Sequence, residues 1–136
     1  MSDISVRHEH GDRFTISIRG HDITVDQPIE DGGSDAGPTP SELFVASLAG
    51  CVGYFARRFL VRHDIPTGGL GVKATYAYAE DAPSRVASID VQLAVPDAFP
   101  GSKLPALMRV VDRCTVHNSL RQAPQVRISA THPSPV

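Results

Sequence analysis

Apolar and polar positions alternate in three short runs near the start of the chain. Ile4 to Val6 is the first, and Arg13-Phe-Thr-Ile-Ser-Ile-Arg19 the second, with Phe14, Ile16 and Ile18 on one face of a half-buried strand. Ile23-Thr-Val25 is the third. His10-Gly11-Asp12 and Gly20-His21-Asp22 supply turns between them, so an N-terminal antiparallel meander is expected. Asp26 to Pro38 is rich in Gly, Asp and Pro and predicts a surface loop with solvated acidic side chains.

The pattern then changes period. Thr39-Pro40-Ser41-Glu42 is a capping box, with Thr39 as N-cap, Pro40 at the first helical position and Glu42 reaching back to the cap. Leu43, Val45, Ala46, Leu48, Ala49, Val52, Phe55, Phe59 and Leu60 leave almost no polar face before Arg57 and Arg58, which predicts a helix buried on most sides and ending near His63-Asp64. Leu70 to Tyr78 and Arg85 to Val95 alternate again and read as a hairpin. Leu104, Leu107, Met108, Val110, Val111 and Cys114 recur at helical spacing. They predict a second helix from about Lys103 to about Arg113, with Ser102 as N-cap. A turn through His117-Asn-Ser-Leu120, a last strand Gln125 to Ala130 and a frayed, Pro-containing tail complete the chain. The order βββ-α-ββ-α-β with hairpin-joined strands indicates an α+β fold, a single domain over residues 1–136.

Composition adds a constraint on assembly. Hydrophobic residues make up 41% of the chain, but aromatics are only 6% and Trp is absent, so one copy builds a large core with difficulty and a homodimer would relieve this. A net charge of −2 with scattered basic residues gives no footprint for nucleic acid or for an anionic membrane. The N-terminus has no apolar signal region, and no run is read as reaching the roughly 20 apolar residues of a membrane span, so a cytoplasmic location is expected. Two cysteines are too few for a disulfide scaffold, and in a reducing compartment a bond between them would be transient and functional.

Cys51 lies in the apolar helix, where a cysteine is commonly a small buried hydrophobe. Cys114 sits near the other helix, and two thiols on the core helices could meet; closing that loop of roughly 60 residues would be worth about 4 kcal/mol in the chain-entropy model. A reactive cysteine must ionise, and an ordinary thiol near pKa ~8.5 is only slightly ionised at neutral pH, so a cationic neighbour is required. Arg58 is two turns away along the same helix, about 10 Å, and Tyr54 and Phe55 occupy the nearer positions. An arginine from the N-terminal strands, Arg13 or Arg19, is the better source, oriented by a carboxylate such as Glu42. Glu42 is nine residues from Cys51, on the opposite side of the helix, and would act through an arginine or across a dimer interface. Each has a plainer role available: Glu42 as a capping residue, the arginines as solvated strand ends. Cys114-x-x-His117 is half a metal site without a second half at suitable spacing, so neither a metal nor another cofactor is expected.

Pro38-Thr-Pro-Ser-Glu-Leu-Phe-Val-Ala-Ser-Leu-Ala-Gly-Cys51 together with Arg113-Cys-Thr-Val-His-Asn-Ser-Leu120 resembles the OsmC/Ohr family, whose element order is similar over nearly the whole chain. The resemblance implies an intertwined homodimer, two central helices packed between antiparallel sheets, with the site at the subunit interface. It implies thiol-dependent reduction of organic hydroperoxides and, less efficiently, of hydrogen peroxide. By resemblance Cys51 matches the peroxidatic cysteine and Cys114 the resolving one, with an external dithiol as reductant. Arg13 is the nearest match to the activating arginine and Arg19 the reserve, with Glu42 as the supporting carboxylate. The chain differs from the hydroperoxide-reductase branch in two places. Ser41 stands where a carboxylate directly follows the proline, which moves Glu42 by one residue and about 100°. Thr115 follows Cys114 where many relatives have proline.

Overall fold

Entry into the long helix is set by local chemistry. Thr39 Oγ1 accepts the Glu42 N–H at 3.1 Å, and Glu42 Oε1 accepts the Thr39 N–H at 2.8 Å, so both halves of the capping box form. Helix α1 then runs Pro40–Arg62 in the computed structural model, which describes residues 3–132. His63, Asp64 and Ile65 return their N–H groups to the carbonyls of Phe59, Val61 and Leu60. The last of these tucks Ile65 into the core and ends the helix.

Val45, Leu48, Val52, Ala56, Phe59 and Leu60 form the one stripe that α1 buries. Strands β4 (Gly71–Tyr78) and β5 (Val86–Ala94), paired antiparallel, cover that stripe with helices α2 (Leu104–Val111) and α3 (Thr115–Arg121). All of these partners lie against one side. The expected burial on most sides is therefore not met: Phe44, Tyr54 and Val61 stay exposed, Tyr54 by 56%.

The expected meander forms as β1 (Ile4–His10), β2 (Arg13–Ile18) and β3 (His21–Val25) in the order β1-β2-β3. Register places Val6, Ile16 and Ile23 side by side on one face. That face is poorly covered, with Ile4 62% and Val6 58% exposed, and the sheet has no extended packing against the helices or the second sheet.

The C-terminal third departs from expectation. Ser102 lies in a single 3-10 turn, Gly101–Lys103, and no side chain caps α2. Residues 115–121, expected to include a turn, form α3. The predicted strand Gln125 to Ala130 is absent: the segment follows α3 without pairing to either sheet, and Val126 and Ile128 are 71% and 93% exposed. Its alternation suits a strand, but the segment pairs with none of the open edges that β1, β3, β4 and β5 present, so it stays outside both sheets. The observed order is βββ-α-ββ-α-α. The expected frayed tail lies largely outside the described residues.

Two further expectations are corrected. Asp26, read as solvated, is 1% exposed. Its Oδ1 accepts the Gln27 N–H at 2.7 Å, and its Oδ2 accepts those of Ala36 and Ser34 at 3.1 and 3.3 Å. Its own N–H reaches Pro38 O at 3.1 Å, so one aspartate organises the loop that delivers the chain to Thr39. Gly37 permits the tight path, since a Cβ there would lie 2.2 Å from Thr24 O. Second, α1 by length and composition alone would pass for a membrane span, against the expectation that no run is long enough. In this fold it is the core helix, covered by β4, β5, α2 and α3 along its buried stripe.

Burial alone would raise the Asp26 pKa. The N–H groups of Gln27, Ala36 and Ser34, with the charge of Arg13, outweigh burial and hold it below the usual carboxylate value. A depressed folded pKa contributes stability above the unfolded value of about 3.9 that is lost as pH falls through the folded value. Asp26→Asn is expected to lower the urea midpoint at pH 7 and to flatten the loss of stability below about pH 4. Equal midpoints for variant and wild type at pH 7 would contradict this role.

Candidate thiol site

Helix α1 carries Cys51 near its middle, half-buried and packed against the core cluster. Cys114 belongs to that cluster, with Leu48, Val52, Leu107 and Val111, and is 0% exposed. It stands in the elbow between α2 and α3, where its N–H bonds Val111 O at 3.1 Å and its carbonyl accepts the Asn118 N–H at 2.9 Å. The elbow turns the side chain inward, and the two free thiols meet at the same core cluster, near enough for Cys51 to perturb the Cys114 thiol. Burial pushes the Cys114 thiol above its ordinary pKa, and the neighbouring Cys51 adds to the shift. The N–H groups of His117 and Val116, at the start of α3, pull the other way without cancelling it.

An apolar cavity of about 480 Å³ lies between α1, β5 and α2, walled by Leu48, Val52, Val91, Leu93 and Met108; core neighbours of the thiols line it, but neither thiol does. A second cavity of about 370 Å³ adjoins it and shares Leu48, Ile89 and His117. Both end at polar groups: Asp112 and His117 in the first, His117 and Arg121 in the second. The arrangement suits a small apolar molecule held against Leu48 and Val52, side chains that also belong to the core cluster of Cys114.

The other residues singled out from sequence lie elsewhere in the chain. Arg13 opens β2 next to Asp26, and its Nε is buried without a hydrogen-bond partner among the described residues. Its sheet does not pack extensively on α1. Arg19 forms the two-residue β2–β3 turn with Gly20, at φ 48° and 81°, and is exposed. Glu42 is held in the capping box beside Tyr76, whose hydroxyl pKa is raised by burial, by Tyr78 and by the Glu42 charge. Arg58 lies over the rings of Tyr54 and Phe55, at 5.6 and 5.8 Å. One chain thus brings together Cys51 and Cys114 and leaves Arg13, Arg19 and Glu42 apart from them. No three His, Cys, Asp or Glu side chains among the described residues converge on a metal position.

Sequence reading missed Asp112 and Arg121 at the elbow and weighed His117 only as half of a metal site. A His117–Arg121 pair at i, i+4 would mark a helix face, but it becomes visible only once residues 115–121 are read as helical.

The OsmC-like protein family matches residues 32–129, a span that includes both cysteines. The chain belongs to that family. Solved structures share the fold at low identity. An OsmC-like protein of Mycoplasma pneumoniae superposes with a TM-score of 0.74 at 18% identity, covering 90% of this chain and 89% of its own. The organic hydroperoxide resistance protein OhrB of Bacillus subtilis gives 0.64 at 15%, covering 90% and 92%. One from Elizabethkingia anophelis, also an organic hydroperoxide resistance protein, gives 0.63 at 19%, covering 90% and 91%. None of the curated proteins matches the chain. The mixed α+β architecture with antiparallel sheets is that of the OsmC-like fold.

A raised thiol pKa means less thiolate at neutral pH. In a Cys51→Ser chain of this OsmC-like protein, alkylation of Cys114 by iodoacetamide is expected to rise with pH around a midpoint above the ordinary ~8.5. A midpoint at or below that value would show that burial does not control this thiol.

Proposed function

We propose that this OsmC-like protein is a thiol-dependent peroxidase that reduces organic hydroperoxides and, less efficiently, hydrogen peroxide. The observation that carries the reading is the pairing of a half-buried helical thiol with a buried second thiol in a core cluster whose Leu48, Val52 and Val111 also line an apolar cavity. The Cys51 thiolate attacks the distal peroxide oxygen; the O–O bond breaks, and the alkoxide leaves and takes a proton to become the alcohol. Cys51 is left as a sulfenic acid. Cys114, as thiolate, attacks the Cys51 sulfur, the hydroxyl leaves with a proton as water, and a disulfide forms. An external dithiol returns both cysteines to the thiol state, in keeping with a cytoplasmic location. No metal or cofactor takes part in these steps.

Three features support a homodimer as the working form. Apolar faces of α1 and of the first sheet are uncovered, and β4–β5 is a two-stranded sheet, an arrangement of marginal stability alone. The extended 125–130 segment has the alternation of a strand without a partner. A second copy would meet these needs and would carry its Arg13 to the opposite Cys51, with Glu42 in support. A second reading keeps the dimer and the cavity but not the turnover. It is favoured by Glu42 being occupied as a cap, and it makes the protein a carrier of small apolar ligands.

One equivalent of cumene hydroperoxide is expected to lower the intact mass by two hydrogens, and Cys51→Ser to abolish peroxide consumption with a dithiol. An unchanged mass would favour the carrier reading. Sedimentation should give twice the 14.6 kDa of the chain. A monomer at micromolar concentration would remove the dimer and with it the arginine supplied in trans.

A further inference from the structure

The elbow that carries Cys114 is held by a side chain that the peroxidase reading does not use. Arg121, in the last turn of α3, folds back across the elbow to the end of α2. Its Nη2 has two hydrogens; one goes to Asp112 Oδ1 and the other to His117 Nδ1, 3.1 Å away. Its Nη1 reaches Asp112 O at 3.4 Å and Asn118 Oδ1 at 3.5 Å. Asn118 in turn gives its Nδ2–H to Arg113 O at 3.4 Å and its backbone N–H to Cys114 O at 2.9 Å. An arginine only donates, so His117 Nδ1 is the acceptor and the ring proton sits on Nε2. Every residue from Asp112 to Cys114 is thereby tied to α3 directly or through Asn118.

We propose that Arg121 is a positioning residue for Cys114: bound at once to Asp112, His117 and Asn118, it keeps the α2–α3 elbow closed and the Cys114 thiol turned in against Cys51. The fork geometry is what qualifies it, because one planar guanidinium serves acceptors on both sides of the elbow and a lysine cannot. Asp112 suits the role. Its hydrogen bond with Arg121 and that group's charge hold its carboxyl below the usual range, against a smaller opposing effect of burial, so it remains an acceptor at neutral pH. The Arg121 and Asp112 side chains are 43% and 62% exposed, so their ion pair contributes little to overall stability, and the consequence of losing it is local opening.

The positional half of the proposal stands without the peroxidase reading, whereas its consequence for disulfide closure rests on it. Iodoacetamide labelling of Cys114 in a Cys51→Ser chain reads the elbow alone. Arg121→Ala is expected to speed that labelling about fivefold, roughly the factor a single exposed ion-pair network supports, and Arg121→Lys to fall between. Stability to urea should fall by no more than the roughly 1 kcal/mol to which that fivefold corresponds, and labelling of Cys51 in a Cys114→Ser chain should not change. Unchanged Cys114 labelling overturns the proposal. So does a rise matched by equally faster Cys51 labelling, which would make Arg121 a general stabiliser. With both cysteines present, one equivalent of cumene hydroperoxide followed by dimedone should trap more Cys51 sulfenic acid in Arg121→Ala than in wild type. If labelling rises as expected but neither protein yields sulfenic acid, the clamp stands and the peroxidase reading falls.

Discussion

One-sided burial of α1 is the constraint on which the remaining structure depends. The buried stripe from Val45 to Leu60 is where β4, β5, α2 and α3 meet, and Cys51 lies at its border. Moving Cys51 by one residue would rotate it by about 100°, toward full burial or toward solvent. Its intermediate exposure follows from that border position, and so does its contact with Cys114, which approaches from the covered side. The uncovered side of the same helix, with Phe44, Tyr54 and Val61, is apolar surface of the kind that another subunit conceals.

What could be read from the sequence was what local chemistry decides. The capping box needs only residues 39–42, and the alternating runs of β1 to β5 need only their own spacing, so the helix start and both antiparallel sheets were legible. Features missed depend on distant partners. Asp26 was read as solvated because nothing in its neighbourhood reveals that Ser34 and Ala36 return to its carboxylate. Helix α3 is seven residues long, too short to stand on propensity, and rests on packing against the distant α1, with Val116 set against the core cluster. The strand expected at 125–130 fails for another reason: its alternation is right, but it docks on none of the open sheet edges of this chain.

The candidate site divides along the same line. Cys51 and Cys114 were flagged as thiols on two core helices, and hydrophobic packing of those helices is sufficient to bring them together. Arg13 and Glu42 were chosen for their charge, and charge does not decide where a surface strand or a helix cap lies relative to a core cysteine. Glu42 is taken by the Thr39 N–H, and Arg13 lies near Asp26, whose charge it feels, with its Nε unpaired among the described residues. The loop organised by Asp26 joins the sheet bearing Arg13 to the helix bearing Cys51, so it sets how far the two can lie apart.

Cys114 is a member of the hydrophobic core as well as half of the thiol pair. Joining the two sulfurs would replace a nonbonded contact by a covalent bond of about 2 Å, inside packing as dense as an organic crystal. Such an interior cannot absorb that contraction at one atom pair; the middle of α1 and the elbow have to draw together, and Leu48, Val52 and Val111 have to repack around them. The oxidised and reduced proteins would then differ in the shape of their core, so the electron count of two sulfur atoms would be written into the packing of the whole helical layer.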